Sequence, residues 1–316
     1  MPRVRRRWRS CPWCCSSSCS PPPRCARRCT EFRRPHMPDA PSPDAHCADD
    51  DHVNHVGRVA AEARDIVLQR GSHVAVTASS FTIPTGAITA IIGPNGSGKS
   101  TILHALAGLL EPSAGSLSVL GAEPTTQHSR VSYVLQHTSI PPGTPLTVRE
   151  TVGMGRYSDL GLLGRRRAED RQRVDEAMEL LDIAGLAKRH LSELSGGQRQ
   201  RVFVAQGVAQ DHDLLLLDEP LTGLDLVSAK TIDEIIHSEP ARGCSVVLTT
   251  HDLEEAQSAD HVLLMSGRVV ASGPPAQVLT RDNLAEAYGL GALHHRDDEA
   301  VRYPTEHPLD EPPLGA

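Results

Sequence analysis

The chain has 316 residues, enough for one large domain or two modest ones, and 39 acidic against 32 basic residues give a net charge of −7. An acidic chain with only 3% aromatic residues is unsuited to neutralising phosphates along a nucleic acid or stacking on its bases. No run approaches the ~18 consecutive apolar residues of a membrane-spanning helix, and no apolar core follows the basic start as a secretory signal requires. A cytosolic body is therefore expected, and any membrane role needs a separate subunit.

The charge is uneven. Residues 1–35 carry ten arginines and a single acid, Glu31, so the remainder is clearly acidic. Of the eight cysteines, seven lie between Cys11 and Cys47, and only Cys244 falls in the expected body, which fits a reducing compartment and implies no disulfide framework. Residues 1–36 are rich in Arg, Cys, Ser and Pro and show no hydrophobic periodicity. Cys11, Cys14, Cys25 and Cys29 have the spacing of zinc ligands. The low-complexity composition points instead to a disordered extension over 1–60, with Met37 as a natural alternative start. Residues 37–58 cluster Asp39, Asp44, His46, Cys47, Asp49, Asp50, Asp51, His52 and His55, which reads as a solvated acidic linker or a loose metal site.

From 61 to 284 the pattern is that of a folded domain. Alternating apolar residues over 64–84 (Ile66, Leu68, Val74, Val76, Phe81, Ile83) predict an antiparallel strand pair. Ala87–Ile92 is a short buried strand. Gly93, Pro94, Asn95, Gly96, Ser97, Gly98, Lys99, Ser100 and Thr101 follow it, and then a helix with Ile102, Leu103, Leu106, Leu109 and Leu110 on one face. Strand, glycine loop and helix in that order form a phosphate cradle: curled backbone N–H groups, a helix N-terminus, Lys99 for the β- and γ-phosphates and the Ser100 hydroxyl for Mg²⁺.

Short strands are expected at Leu117–Leu120 and Val131–Leu135, the latter ending at Gln136. A helical stretch follows to about Asp211, including an amphipathic helix over 167–181 preceded by Arg165-Arg166-Arg167, which would be a solvated helix end or a partner-facing patch. Leu194-Ser195-Gly196-Gly197-Gln198 opens another helix. Leu214–Leu217 is a continuous apolar run, hence a central strand covered on both faces. Asp218 and Glu219 close it, and its expected place is beside the phosphate-loop strand. A helix over Ser228–His237, a buried strand over Ser245–Thr249 ending at His251, and a meander over Val262–Ala271 complete the domain. A flexible polar tail is expected over 285–316.

The chemistry follows from those positions. Asp218 at the end of an apolar strand can hold the Mg²⁺ shell through water. Glu219 can polarise an attacking water, and a neutral His251 can bridge it to the γ-phosphate. Ser195-Gly196-Gly197 before a helix is a second anion site. One nucleotide has one γ-phosphate, already gripped by Lys99, so the second site makes sense if it serves a neighbouring copy. That implies a head-to-tail two-fold pair with two nucleotides at its interface.

With these residues in order, the stretch 64–280 resembles the ATP-binding subunit of an ABC transporter. Residues 93–101 match its Walker A loop, Gln136 its Q-loop glutamine, Leu194–Gln198 its LSGGQ signature, Leu214–Glu219 its Walker B strand with catalytic glutamate, Thr222–Asp225 its D-loop and His251 its switch histidine. The resemblance implies an α/β P-loop NTPase with a mixed central sheet, an antiparallel β subdomain and an inserted helical subdomain at about 140–205. It implies Glu219, His251 and Lys99 as catalytic, and Ser100, Gln136 and Asp218 as Mg²⁺ ligands. The nucleotide would be held by Gly93 to Thr101 with Gln136, Asp218 and Ser195–Gln198. It also implies ATP and Mg²⁺ as cofactors, a second ATP-binding subunit, an integral membrane permease, an extracytoplasmic metal-binding protein and no nucleic acid among its partners. The place of work would be the cytoplasmic face of the membrane. The stretches Val152–Tyr157, Gly161–Arg165 and Ala271–Pro275 are similar to the manganese/zinc type of importer, with iron-siderophore and haem importers as the alternative. The single cassette, and the 101 positions without heptads between Gly93 and Leu194, set it apart from soluble ABC proteins of translation and DNA repair. Where the family has an adenine-stacking aromatic, this chain has Arg70, whose planar guanidinium can also stack on a base.

Overall fold

Residues 59–135, 144–157 and 167–289 are described by the computed structural model. Gln136, Arg165, Arg166 and the cysteine- and histidine-rich segments 1–58 and 290–316 lie outside the described residues. In chain order the elements are β1 (Val59–Arg70), β2 (His73–Pro84), β3 (Ile88–Ile92), α1 (Lys99–Leu106), β4 (Ala114–Val119), β5 (Val131–Val134), α2 (Val148–Met154), α3 (Ala168–Leu180) and α4 (Gly196–Ala209). They continue with β6 (Leu214–Asp218), α5 (Leu226–Ser238), β7 (Ser245–Thr250), α6 (Leu253–Ser258), β8 (His261–Met265), β9 (Val269–Gly273), α7 (Pro275–Val278) and α8 (Arg281–Tyr288).

Six strands form a mixed sheet in the order β5-β6-β7-β3-β8-β9. Its first five strands are mutually parallel, and only β9 returns antiparallel, from β8. The parallel strands read as unbroken apolar runs because both faces are covered. In β6, Leu214 and Leu216 belong to one core while Leu215 and Leu217 belong to the other. The period of two in a strand sends successive side chains to opposite faces. Each such fully buried leucine is worth about 2 kcal/mol of hydrophobic stabilisation.

One core lies under the three-stranded antiparallel sheet β2-β1-β4 and α1, and joins Ile66, Leu68, Ile83, Ile102 and Leu103 to Ile91 and Leu263 of the central sheet. The other packs α2 to α6 on the opposite face, with Val202, Val204, Ile232 and Ile235 against Ala90, Ile92 and Leu248. The β1–β2 turn is the two-residue step Gly71-Ser72, with Gly71 at φ +61°, a conformation glycine adopts without steric cost.

Leu109, expected on the buried face of the phosphate-loop helix, lies beyond the end of α1 and is 62% exposed. Four further details depart from the sequence expectation. First, β7 stands between β3 and β6, so the strand ending at Asp218 is two removed from the phosphate-loop strand rather than beside it. Ser245 to Thr250 is buried throughout, which lets β7 pair on both sides. Second, β1 begins at Val59, where Ala60, Ala61 and Ala63 are buried but too small to carry a hydrophobic signal. Third, β4 begins at Ala114 and ends before Leu120, which lies at φ +51° while its N–H still donates to the Ala60 carbonyl of β1 at 2.8 Å. Fourth, α5 starts two residues early, because Asp225 caps it by accepting the Ser228 N–H at 2.9 Å.

Candidate functional site

The carboxyl ends of β3, β6 and β7 bring the chemically active side chains together. The loop from Gly93 to Gly98 leaves β3 and enters α1, whose N-cap is Gly98 at φ +99°. A Cβ at Gly98 would lie 2.6 Å from Val76 Cγ2, and one at Gly93 would collide with the Met265 carbonyl. The loop therefore lies flat against β2 and β8 only because these positions lack side chains. Gly96, at φ +79°, has open space around it.

Lys99 is 6% exposed, and its ammonium donates to the carbonyls of Gly93 at 2.8 Å and Pro94 at 3.3 Å. Burial lowers its pKa, partly offset by the charges of Glu219 and Asp218. The Ser100 hydroxyl donates to Asp218 Oδ1 at 3.1 Å. The same oxygen accepts the Thr249 hydroxyl at 2.6 Å, while Thr249 Oγ1 accepts the Glu219 N–H at 2.9 Å. Glu219 itself sits at φ +46°, a left-handed conformation that is costly for a residue with a side chain. Its carboxylate faces His251 Nδ1 at 3.8 Å, and the His251 side chain is 56% exposed.

These residues fit a magnesium-bound triphosphate. Among the described residues the Lys99 ammonium donates only to two neutral carbonyls, and the Ser97 hydroxyl is buried without a partner there. Ser97 lies in a loop whose glycines admit close approach, and Lys99 opens α1, whose N-terminus has no side-chain cap. Ser100 and Asp218 supply hard oxygen donors of the kind Mg²⁺ selects.

The signature residues form a separate group. Ser195 caps α4 in a capping box: its hydroxyl accepts the Gln198 N–H at 3.2 Å, and Gln198 Oε1 accepts the Ser195 N–H at 3.1 Å. Among the described residues, the hydrogen bonds of these two side chains are to each other's backbone and none is to Lys99, Ser100 or Asp218. Gly197 presses on the D-loop and the start of α5 instead, since a Cβ there would collide with Asp225 Oδ2 and lie 2.5 Å from Ser228 Oγ. Gly196 has nothing within 4 Å.

Arg70, at the adenine-stacking position, has its guanidinium bonded to His104 Nδ1 of α1, and the His104 ring meets Tyr133 edge-on at 5.6 Å. Burial and the Arg70 charge hold the His104 pKa below its ordinary value. Sequence reasoning missed Thr249 and Met265. Thr249 directly opposes Asp218 in the β6–β7 register, a relationship that only the strand order reveals.

The chain is similar to proteins of one family. A family profile described as "ABC transporter" matches residues 76–222. The zinc transport system ATP-binding protein TroB of Treponema pallidum is 40% identical over 66% of this chain and 78% of its own. The manganese transport system ATP-binding protein MntB of Bacillus subtilis is 36% identical over 70% of this chain and 89% of its own. Among solved structures, an ATP-binding cassette of an ABC transporter in its ADP conformation superposes with a TM-score of 0.62 at 25% identity, over 73% of this chain and 98% of that one.

Proposed function

The chain belongs to the ABC transporter family as a nucleotide-binding ATPase subunit, and from that premise we propose that two copies close on two MgATP to drive import of a transition metal through a separate permease. The observation that carries the pairing is the separation of the two anion sites. Ser195 and Gln198 satisfy each other, and Gly196 stands in open space, as a half-site completed by another copy requires. Leu226 and Val227, just beyond the D-loop, are 89% and 65% exposed, apolar surface that such closure would cover.

In this reading Lys99, Ser97 and the loop N–H groups bind the β- and γ-phosphates. Ser100, Asp218 and Gln136 would hold Mg²⁺, which when bound neutralises phosphate charge and polarises the γ-phosphoryl group. Glu219 orients and deprotonates the attacking water, His251 supports its carboxylate, and Thr249 fixes both acids. Ser195 and Gly197 of the second copy close over the γ-phosphate. The Gln136 segment passes the motion to the permease. A cleft of about 380 Å³ between β5, α2 and α4, lined by Tyr133, Leu135, Leu146, Met154 and Phe203, supports a docking surface for it. The working position is then peripheral, on the cytoplasmic face of the membrane. None of the helices among the described residues is long and apolar enough to cross a membrane.

The cargo class rests on the relatives. Those named above serve zinc and manganese systems, and the chelated iron transport system protein YfeB of Yersinia pestis is 36% identical over 72% of this chain and 78% of its own, which keeps iron as the second reading. Deleting the gene and measuring cell-associated zinc, manganese and iron under limitation of each tests this. The proposed import predicts a deficit in zinc or manganese that the wild-type gene restores and that Glu219→Gln does not. A deficit confined to iron selects the second reading, and unchanged levels of all three refute metal import.

A further inference from the structure

At the amino ends of β6 and β7, away from the phosphate loop, three metal-ligating side chains converge. His212 precedes β6, Glu239 follows α5 and Cys244 precedes β7. One ligand atom of each lies within 4.8 Å of the other two. The His212 and Glu239 side chains are 2% and 0% exposed, and His212 Nε2 faces Glu239 Oε2 at 3.3 Å. Among the described residues, neither atom has a hydrogen-bond partner outside the cluster itself, and burying such groups without one is costly.

The remaining atoms of the cluster are anchored. His212 Nδ1 lies 2.8 Å from the Gln210 carbonyl. A carbonyl only accepts, so Nδ1 carries the proton, and in the neutral ring Nε2 presents a lone pair. Glu239 Oε1 accepts the Arg242 guanidinium at 2.7 Å, leaving Oε2 as the oxygen turned to the histidine. Cys244 Sγ lies 3.2 Å from the His212 carbonyl. The imidazole nitrogen and the carboxylate oxygen need a positive centre between them, which either a proton on Nε2 or a bound cation supplies, and the nearby Cys244 Sγ adds a third ligand for a cation. Their separation matches two ligands on one tetrahedral Zn²⁺ with bonds of about 2.0–2.1 Å. The Nδ1–carbonyl bond is the outer contact that orients a metal-bound imidazole. A cavity of about 270 Å³, lined in part by Arg173, Asp211, Asp213, His212 and Cys244, gives an entry path and room for a water as fourth ligand.

We propose that His212, Glu239 and Cys244 form a binding site for a zinc-class divalent cation, distinct from the nucleotide site. The bound ion ties the start of β6 and the start of β7 to the end of α5, and binding releases the thiol proton to solvent. This site does not depend on the identity of the transported cargo.

The test uses the full chain with Cys11, Cys14, Cys15, Cys19, Cys25, Cys29 and Cys47 changed to Ser, so that any thiolate signal reports Cys244. Co²⁺ is titrated in under reducing conditions and then displaced with Zn²⁺, followed by absorbance and by equilibrium dialysis. The expected result is a thiolate-to-cobalt charge-transfer band that saturates at one ion per chain and that Zn²⁺ abolishes, any ion held by the cysteine-depleted segment 37–58 giving no such band. Cys244→Ser removes the band, and His212→Ala weakens binding by at least about tenfold. Glu239→Gln, which keeps an acceptor for Arg242, weakens it likewise and serves if His212→Ala does not fold. Binding of a fluorescent ATP analogue, unchanged in each variant, shows that the fold persists. Absence of the band from the cysteine-depleted chain, or ion binding indifferent to His212 and Glu239, overturns the site.

Discussion

Thr249 and Asp218 oppose each other in adjacent parallel strands, and one hydroxyl there serves two acids: it donates to Asp218 Oδ1 at 2.6 Å and accepts the Glu219 N–H at 2.9 Å. Thr249 touches neither phosphate nor water in the proposed reaction, so it is a positioning residue. Thr249→Val keeps the shape and removes both bonds. We expect kcat for ATP to fall about 10–100-fold with KM changed little, because misplacement of reacting groups is felt in the transition state. Thr249→Ser, which keeps the hydroxyl, should recover most of the rate. Steady-state ATPase assays decide, and a Val variant with a raised KM and unchanged kcat would assign Thr249 to nucleotide binding instead.

The left-handed backbone of Glu219 turns its carboxylate away from the strand that Asp218 ends and toward His251. If it is the base, Glu219→Gln keeps size and hydrogen bonding but loses proton acceptance. ATP binding and ATP-driven pairing should persist, with turnover down about 10²–10⁴-fold. Size-exclusion chromatography with ATP, alongside phosphate release, measures both. Near-normal turnover in that variant would remove Glu219 from the role.

Much of this was legible in the residues because local chemistry and motif order agree: the glycine loop between strand and helix, the signature before α4, and four leucines before Asp218. What stayed hidden depends on strand order and on contacts distant in sequence. Nothing in the sequence places β7 between β3 and β6, so Thr249 read as one more β-branched strand residue. Met265 looked like core, yet its carbonyl fixes the need for glycine at 93. Ala60, Ala61 and Ala63 gave no periodic signal because alanine is only weakly apolar, although these three residues are buried. His212 and Cys244, 32 positions apart, carry no recognisable spacing, since two separate strands bring them together.

Two adjacent glycines of the signature separate folding from pairing. A methyl at Gly197 would collide with Asp225 and Ser228 of the same chain, whereas one at Gly196 meets nothing. Gly197→Ala should therefore destabilise the isolated subunit by about 1–3 kcal/mol. Gly196→Ala should leave urea unfolding within about 0.5 kcal/mol of wild type and single-site ATP binding intact, yet abolish ATP-driven pairing and hydrolysis. If Gly196→Ala pairs and turns over normally, the open space around Gly196 is plain solvent and the second copy does not approach there.

Asp170 offers a test of how the helical segment is held. Its carboxylate accepts the Arg167 N–H at 2.6 Å and pairs with Arg156 Nε at 3.1 Å, both side chains being under a tenth exposed. Arg156 also donates to the Ala209 carbonyl at 3.1 Å, so the pair ties α3 to the end of α4. The backbone hydrogen bond from Arg167, with the Arg156 pairing, holds the Asp170 pKa below the ordinary 3.8. A carboxyl depressed in the folded state binds fewer protons there than in the unfolded chain. Its stabilisation is therefore complete above the ordinary value and is lost as pH falls through the folded one. Asp170→Asn removes the charge that pairs with the buried Arg156 guanidinium. We expect a loss of about 2–4 kcal/mol, constant from pH 7 down to about pH 5. Below about pH 4 the gap to wild type should narrow, as the native carboxyl takes up its proton. Urea titrations of both proteins across that range give the curve directly. A gap that stays constant through the acid limb would mean that shape, not charge, accounts for the contribution of Asp170.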